Sequence, residues 1–337
     1  MQDGNWTFTE VDMEVAKKVS CFLPARLFDI HAHVYRVRDL GDSPPEVPAQ
    51  GPETVTIDVW RSHLSQLVGG RSIQGGLLLP YPTKGGNIRG GNEFLISQLS
   101  PRSCNRGLVV VAPDFPPSAV EEWAGCPHVV GFKPYHVFAA TEPTFDAAVE
   151  AYVPEWIWEL ANHMDFIIML HLVRPKALSD PDNQRTILTL CKKYPRVKLI
   201  LAHAGRGFHA PNTIAALPAL RELQNVWFDT SAICEPDALM AILKTFGSER
   251  LLWGSDFPVS QQRGKCVTVG DAFSWICPRR IDRGPGAPVC RPILVGLESL
   301  RALSLAAQLI DLTARDLENI FARNALQLLG LRADNRD

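Results

Sequence analysis

The stretch "LFDIHAHVYR", residues 27–36, decides how the chain is read. Up to Ile30 it is apolar and β-leaning, as a buried strand should be. On a regular strand alternate side chains share a face. Asp29, His31 and His33 are therefore expected on one side, with Phe28, Ile30 and Ala32 on the other. Three polar, metal-capable groups on one face of an apolar strand are costly to bury without partners. A lone His-x-His also reads as a hydrogen-bonded core pair, so further ligands must come from elsewhere in the chain.

Outward from this stretch, an apolar strand followed by an amphipathic helix recurs along the chain. Strands are expected at 27–34, 75–80, 106–113, 129–135, 165–172, 197–204, 225–231 and 250–256. Helical patterns fall around 56–69, 91–100, 117–124, 145–163, 182–194, 213–223 and 236–246. Near-continuous apolar strands alternating with helices indicate a parallel sheet covered on both faces. Eight such units predict an α/β fold, a closed (β/α)8 TIM barrel. An open doubly wound sheet is the alternative, but no Gly-x-Gly-x-x-Gly turn follows the first strand to favour it. The chain is read as a single domain, 1–337, with a barrel core at about 27–258 and C-terminal helices at 292–330 packed on the barrel exterior. Residues 36–55, 81–92 and 257–291 look inserted at the C-terminal ends of strands, where barrel enzymes build their sites. Glycines 85, 86, 90 and 91 read as a flexible turn or a phosphate cradle.

Bulk properties narrow the function classes. The 337 residues are 46% apolar and 21% charged, with a net charge of −2, so no basic surplus favours nucleic acid or an acidic membrane. No apolar run approaches the roughly 18 residues needed to span a bilayer, and the N-terminal stretch lacks a hydrophobic signal core. A reducing, cytoplasmic setting is expected. The eight cysteines form no Cys-x-x-Cys pair and read as free thiols, with a local disulfide among Cys266, Cys277 and Cys290 as the alternative.

Placed on the barrel, the polar strand ends converge. His171 ends strand five ("IIMLHL"), His203 ends strand six ("LILAHAG") and Asp256 ends strand eight ("LLWGSDFP"). With His31 and His33 they bring four imidazoles and a carboxylate to one mouth, the donors preferred by zinc, iron, manganese or nickel. Arg174 and Arg206 follow strands five and six and can each grip a substrate carboxylate, or salt-bridge at the rim. His136 and His209 stand on rim loops within reach of a substrate. His63, His128 and His163 read as structural, and Trp227 and Trp253 as barrel packing. Asp29 is expected either to orient a ligand from behind or to stabilise the barrel floor.

This pattern resembles the amidohydrolase superfamily. The phrases "FDIHAHV", "LILAHAG", "LLWGSDFP" and "ENIFARNALQLLGL" are similar to its amidohydrolase-related branch, which includes aminocarboxymuconate-semialdehyde decarboxylase, resorcylate-type decarboxylases and lactonases. The resemblance covers roughly residues 27–330 and implies a (β/α)8 barrel. It implies that His31, His33, His171 and Asp256 bind a divalent metal, zinc first, with iron or manganese as alternatives. It further implies that His203 is an acid/base group beside Asp256 in a one-metal site, or a ligand of a second ion. Lys133 then either contacts substrate or is carboxylated and bridges two ions. The expected activity is a metal-dependent hydrolase of a small carboxylated lactone, ester or amide, using metal-activated water. The alternatives are a metal-dependent non-oxidative decarboxylase and a non-catalytic metal- or ligand-binding barrel. The expected partner is a small-molecule substrate, with a homo-oligomer left open.

Overall fold

The computed structural model describes residues 6–278, 286 and 290–331. Residues 279–285 and 287–289 of the expected third insertion, and the two ends of the expected domain, lie outside the described residues. Eight parallel strands form one sheet in sequence order: β1 (Arg26–His33), β2 (Ser72–Leu79), β3 (Arg106–Val111), β4 (Val129–Pro134), β5 (Ile167–Leu170), β6 (Lys198–Leu201), β7 (Val226–Asp229) and β8 (Leu251–Leu252). The sheet closes on itself just past β8. There Ile30 N–H donates to the Trp253 carbonyl at 3.0 Å and His33 N–H to Phe257 at 2.8 Å, while Asp256 N–H donates to His31 at 2.8 Å. Gly254 makes this approach feasible, because a Cβ there would stand 2.9 Å from that of His31.

Helix α1 (Glu10–Ser20) precedes the barrel. Helices α2 (Ile57–Leu67), α3 (Ile88–Gln98), α4 (Pro117–Ala124), α5 (Glu155–Met164), α6 (Pro181–Lys193), α7 (Ala210–Leu220), α8 (Asp237–Phe246) and α9 (Val295–Leu309) follow β1 to β8 in turn. The expected helix at 145–163 begins only at Glu155. Pro143 and Pro154 break the preceding stretch into short 3-10 turns. Residues 85–91 turn into α3, with Asn87 capping it and accepting from Gly90 N–H. Asp39 faces this turn through Asn87, so a carboxylate stands where a phosphate would need donors.

Two apolar layers hold the frame. The interior packs Phe28, Ile30, Leu77, Leu79, Met169 and Ile200 with Ala322, Ala325 and Leu326 of the last helical stretch. That stretch therefore plugs the barrel floor instead of lying on its exterior, and Trp253 N–H donates to the Ile320 carbonyl at 2.8 Å. Its sequence is apolar on enough faces to be buried between strand ends and helices. Trp253 stacks near Phe321, 5.4 Å between centroids, in the packing role expected of it.

The insertion after β8 carries an antiparallel hairpin, β9 (Lys265–Val269) and β10 (Ala272–Ile276), turning at Gly270 with φ +59°. All eight cysteines are free thiols, Cys266 and Cys277 of this region included. Among the described residues no helix is long and apolar enough to cross a membrane.

Helix α1, which no sequence pattern announced, is fastened by Asp12. Its carboxylate caps α1 through Thr9, pairs with Arg263 at 2.8 Å and accepts from Leu294 N–H at the head of α9. Burial would raise its pKa, but the Arg263 and Thr9 hydrogen bonds hold it below the usual carboxylate range. Asp12→Ala is expected to cost about 3 kcal/mol, as for one partner of a buried pair. The unfolded chain takes up this proton first. The wild-type advantage in urea unfolding is therefore full above the ordinary carboxylate value of 3.8 and shrinks as pH falls below it.

Candidate active site

The two histidines of β1 reach the mouth because the strand is irregular. Its register against β2 shifts between Asp29 and Ala32. Phe28 and Ile30 fill the barrel interior, whereas Ala32 joins the outer layer. The simple alternation expected from the sequence therefore fails at this bulge, and Asp29 does not share a face with His31 and His33. Asp29 instead accepts from Trp60 Nε1 on α2 at 3.0 Å and from Ser255 N–H at 2.8 Å. Burial pushes its pKa up to about 6, less than it otherwise would because of those donors. It holds the segment carrying Asp256 against β1, a structural duty.

Both β1 imidazoles have one nitrogen tied down and the other free to face the mouth. His31 Nδ1 lies 3.0 Å from Asp229 Oδ2, and His33 Nδ1 lies 3.0 Å from the Pro80 carbonyl. Each acceptor fixes the Nδ1–H tautomer and leaves Nε2 with a lone pair. Those Nε2 atoms stand 3.6 and 3.4 Å from Asp256 Oδ1. Burial, and then Lys133, push the pKa of His31 down to about 4, so the ring is neutral at pH 7.

Asp229, at the end of β7, was not singled out from the sequence. It accepts from His203 N–H at 2.8 Å and from Ser231 N–H at 3.0 Å, besides holding His31. Burial opposes its charge, but His31, His203 and Ser231 outweigh it and keep the carboxyl well below the usual range. The signal was available: an acid ending an apolar strand in "NVWFDTS", as Asp256 does in "LLWGSDFP".

The His203–Arg206 segment is a left-handed turn, with φ of 55°, 54°, 69° and 61° at His203, Ala204, Gly205 and Arg206. Non-glycine residues adopt this at a cost of about 1–2 kcal/mol each. The turn is held by Asp229 on His203 N–H, by Gly207 N–H on the His203 carbonyl at 2.7 Å and by Thr213 Oγ1 on the Ala204 carbonyl at 2.9 Å. Positions three apart share a face of such a turn, which brings His203 and Arg206 together into the mouth.

His31, His203 and Asp256 offer donor atoms within 4.8 Å of one another, and all three are buried. His171 flanks this group, its ring 5.0 Å from that of His203 and its Nδ1 buried without a hydrogen-bond partner. Burial holds its pKa well below the ordinary value. These orphaned and oriented nitrogens around one carboxylate fit a divalent cation. Lys133 Nζ is buried 3.4 Å from His31 Nε2, and burial pushes its pKa down to about 8.

A cavity of about 330 Å³ opens on the cluster. Of the residues singled out from the sequence it is lined by His31, His33, Lys133, His171, His203, Arg206 and Asp256. Arg174, expected to grip substrate, is instead taken by Asp180 and Asp182, each at 2.9 Å. His136 does not line the cavity either. It bonds Thr144 Oγ1 at 3.1 Å and packs on Phe145, whose ring takes the wall position. His209 is buried but does not line the cavity. Tyr81, Tyr135, Phe145, Phe208, Phe273 and Trp275, none of them expected there, complete an aromatic wall.

Comparison with known proteins agrees with this fold. The amidohydrolase family model matches residues 101–331. An L-fucono-1,5-lactonase of Burkholderia ambifaria is 31% identical over 139 residues, covering 36% of this chain and 47% of the lactonase, under half of that relative's length. The fold matches an amidohydrolase of Burkholderia multivorans solved with bound zinc, with TM-score 0.59 and 17% identity over 91% of this chain and 100% of that one. It also matches 5-carboxyvanillate decarboxylase of Sphingomonas paucimobilis, with TM-score 0.59 and 14% identity over 92% of this chain and 100% of that one. With most of its length matched by the family model on a closed barrel, the chain belongs to the amidohydrolase family of enzymes.

Proposed function

We propose that this enzyme is a metal-dependent hydrolase that opens a small carboxylated lactone, ester or amide. The observation that carries the reading is the convergence of His31, His33, His203 and Asp256, with Lys133 beside them, on one cavity that also holds Arg206. The lactonase match and the zinc bound in the structural relative support it.

His31, His33, His171 and Asp256 would hold one divalent ion, zinc in the first instance. Such an ion supplies Lewis acidity, polarising a carbonyl and bringing the pKa of water from about 15.7 to about 7. Asp256, held ionised among His203, His33 and His31, takes the proton of the attacking water and returns it to the leaving oxygen or nitrogen. Proton transfer of this kind contributes about 10²–10⁴-fold. His203, with Nδ1–H set by the Ser231 carbonyl at 3.0 Å, is left with the Nε2 lone pair and serves as a second proton acceptor beside Asp256. In this reading Lys133, buried 3.4 Å from His31 Nε2 with its pKa lowered to about 8 by burial, keeps its amine and contacts substrate. Arg206 anchors the substrate carboxylate.

The aromatic wall favours a second reading, decarboxylation of a ring acid, in which an ion held by the same residues would bind the departing carboxylate and a proton would replace carbon dioxide on the ring. Assay of carboxylated lactones and aromatic acids separates them. Ring opening abolished by a chelator and restored by zinc is expected. Carbon dioxide release without ring opening would establish the second reading. Metal analysis should find close to one ion per chain, unchanged by bicarbonate or by Lys133→Ala. Two ions, one lost in that variant, would instead mean a carboxylated, bridging lysine. His31→Ala should lose both metal and activity while the circular dichroism spectrum stays unchanged.

Asp229 touches no cavity surface, yet it orients His31 and His203. Asp229→Asn is expected to lower zinc affinity by about 10–100-fold, the usual effect of removing the partner behind a ligand. Competition with a chromogenic chelator measures it. Arg174→Ala, which removes rim ion pairs and a hydrogen bond to the Asp146 carbonyl, should leave that affinity within about twofold.

A further inference from the structure

Outside the proposed metal-binding cluster the cavity is walled mainly by aromatic rings. Its remaining lining is Tyr81, Pro82, Tyr135, Phe145, Arg206, Phe208, Val259, Phe273 and Trp275. Beyond the donor cluster and the Lys133 amine, the polar side-chain groups this lining offers are two phenol hydroxyls, one indole N–H and one guanidinium. A polyhydroxylated substrate would bury several hydroxyls against ring faces with no acceptor or donor opposite. Each such orphan is expensive.

Besides the Lys133 amine of the donor cluster, Arg206 is the cation of this cavity, and the described residues leave most of its donors unpaired. Its guanidinium carries five N–H donors. Its only hydrogen bond among the described residues is a long one to the Leu172 carbonyl at 3.4 Å, and no carboxylate there pairs with it. It lies 5.4 Å from the centroid of Phe145 and 5.4 Å from that of Phe273. A guanidinium flanked by two rings keeps its plane and leaves its N–H edge open to a planar anion.

Phe273 and Trp275 come from β10 of the hairpin, at positions two apart that share a face. Phe208 bridges the hairpin to the catalytic cluster. Its ring lies 5.1 Å from Phe273, 5.6 Å from Trp275 and 5.3 Å from His203, with only 28° between the His203 and Phe208 planes. The ring surfaces thus continue from the reacting end of the cavity to the arginine. At about 330 Å³ the cavity is at the small end of ligand sites.

We propose that the Phe145–Arg206–Phe273 clamp and the hairpin wall of Phe273 and Trp275 make this site selective for a flat, conjugated ring carrying a carboxylate, and select against polyhydroxylated sugar lactones and acids. The carboxylate lies edge-on to Arg206, and the ring lies against Phe208 and Phe273. This rests on the proposed function in one respect, that the cavity is the substrate site.

Equilibrium binding to the purified full-length protein tests it without turnover, so a failure of the hydrolase reading, scored by ring opening, is distinguishable from a failure here. The probes are 3-hydroxybenzoate, its neutral amide and D-gluconate, titrated by calorimetry. 3-Hydroxybenzoate should bind at least about tenfold tighter than either, the scale of one charged hydrogen-bonded contact. Arg206→Met should bring acid and amide to within about twofold of each other, whereas Arg206→Lys retains part of the preference. Phe273→Leu and Trp275→Leu should weaken both aromatic probes and leave gluconate unchanged, with thermal melting to confirm that each variant is folded. Gluconate binding as tightly as 3-hydroxybenzoate, an amide as good as the acid, no saturable binding of the acid at millimolar concentration, or no effect of Arg206→Met in a folded variant would each overturn the proposal.

Discussion

The buried carboxylate of Asp229 is the contact on which the mouth depends. One oxygen holds the His31 ring, and the other receives the backbone N–H groups of His203 and Ser231. Strands β1, β6 and β7 are thereby registered to each other at the height where the chemistry sits. A buried carboxylate is tolerable only when its lone pairs are filled. Its donors, with Ser231 Oγ as the fourth at 2.5 Å, meet that condition and simultaneously dictate which nitrogen of His31 faces the cavity. Without this anchor His31 could flip to the other tautomer and the His203 turn would lose its first hydrogen bond.

That turn is the costliest local feature of the site. Three non-glycine residues in left-handed conformation oppose folding by a few kcal/mol in a protein whose net stability is on the order of 5–15 kcal/mol. Strain of this kind persists where the surroundings over-determine it. Here Asp229, Gly207 and Thr213 each contribute a bond to it. The return is positional. A right-handed turn after β6 would start a helix at once and carry Arg206 away from His203, whereas the left-handed turn delivers both to one cavity before α7 begins.

Most of the frame was legible in the sequence because a buried parallel strand leaves a plain apolar signature, and all eight barrel strands lie close to the spans read from it. The convergence of the candidate donors on one cavity was legible for the complementary reason: a histidine or aspartate ending such a strand is out of place energetically. The limits are equally physical. His171 and His203 are each followed three residues later by an arginine with positive φ, 72° at Arg174 and 61° at Arg206. Locally the two cases are alike. Only tertiary partners separate them, since Asp180 and Asp182 at the head of α6 capture Arg174 while Arg206 meets rings. Likewise the β1 bulge, which removes Asp29 from the face of the two histidines, arises from register against β2 and leaves no trace in β1 itself.

The hairpin was hidden for another reason. Its strands are only half-buried and lie in an insertion rich in polar and turn-forming residues, so Phe273 and Trp275 carry no core-like periodicity over more than one repeat. Yet they face the same cavity as donors from β1, β4, β5 and β6. The division of labour follows from where each part is anchored. Groups on strand ends are held by the barrel's own hydrogen bonds and are constrained to one geometry, which suits donors around a cation. Groups on an inserted hairpin are free of that constraint and can be replaced without disturbing the barrel. In the proposed reading the reaction class is therefore carried by the strand-end residues, and the substrate by those of the hairpin. A lactonase matched over part of this chain can agree on the first and differ on the second.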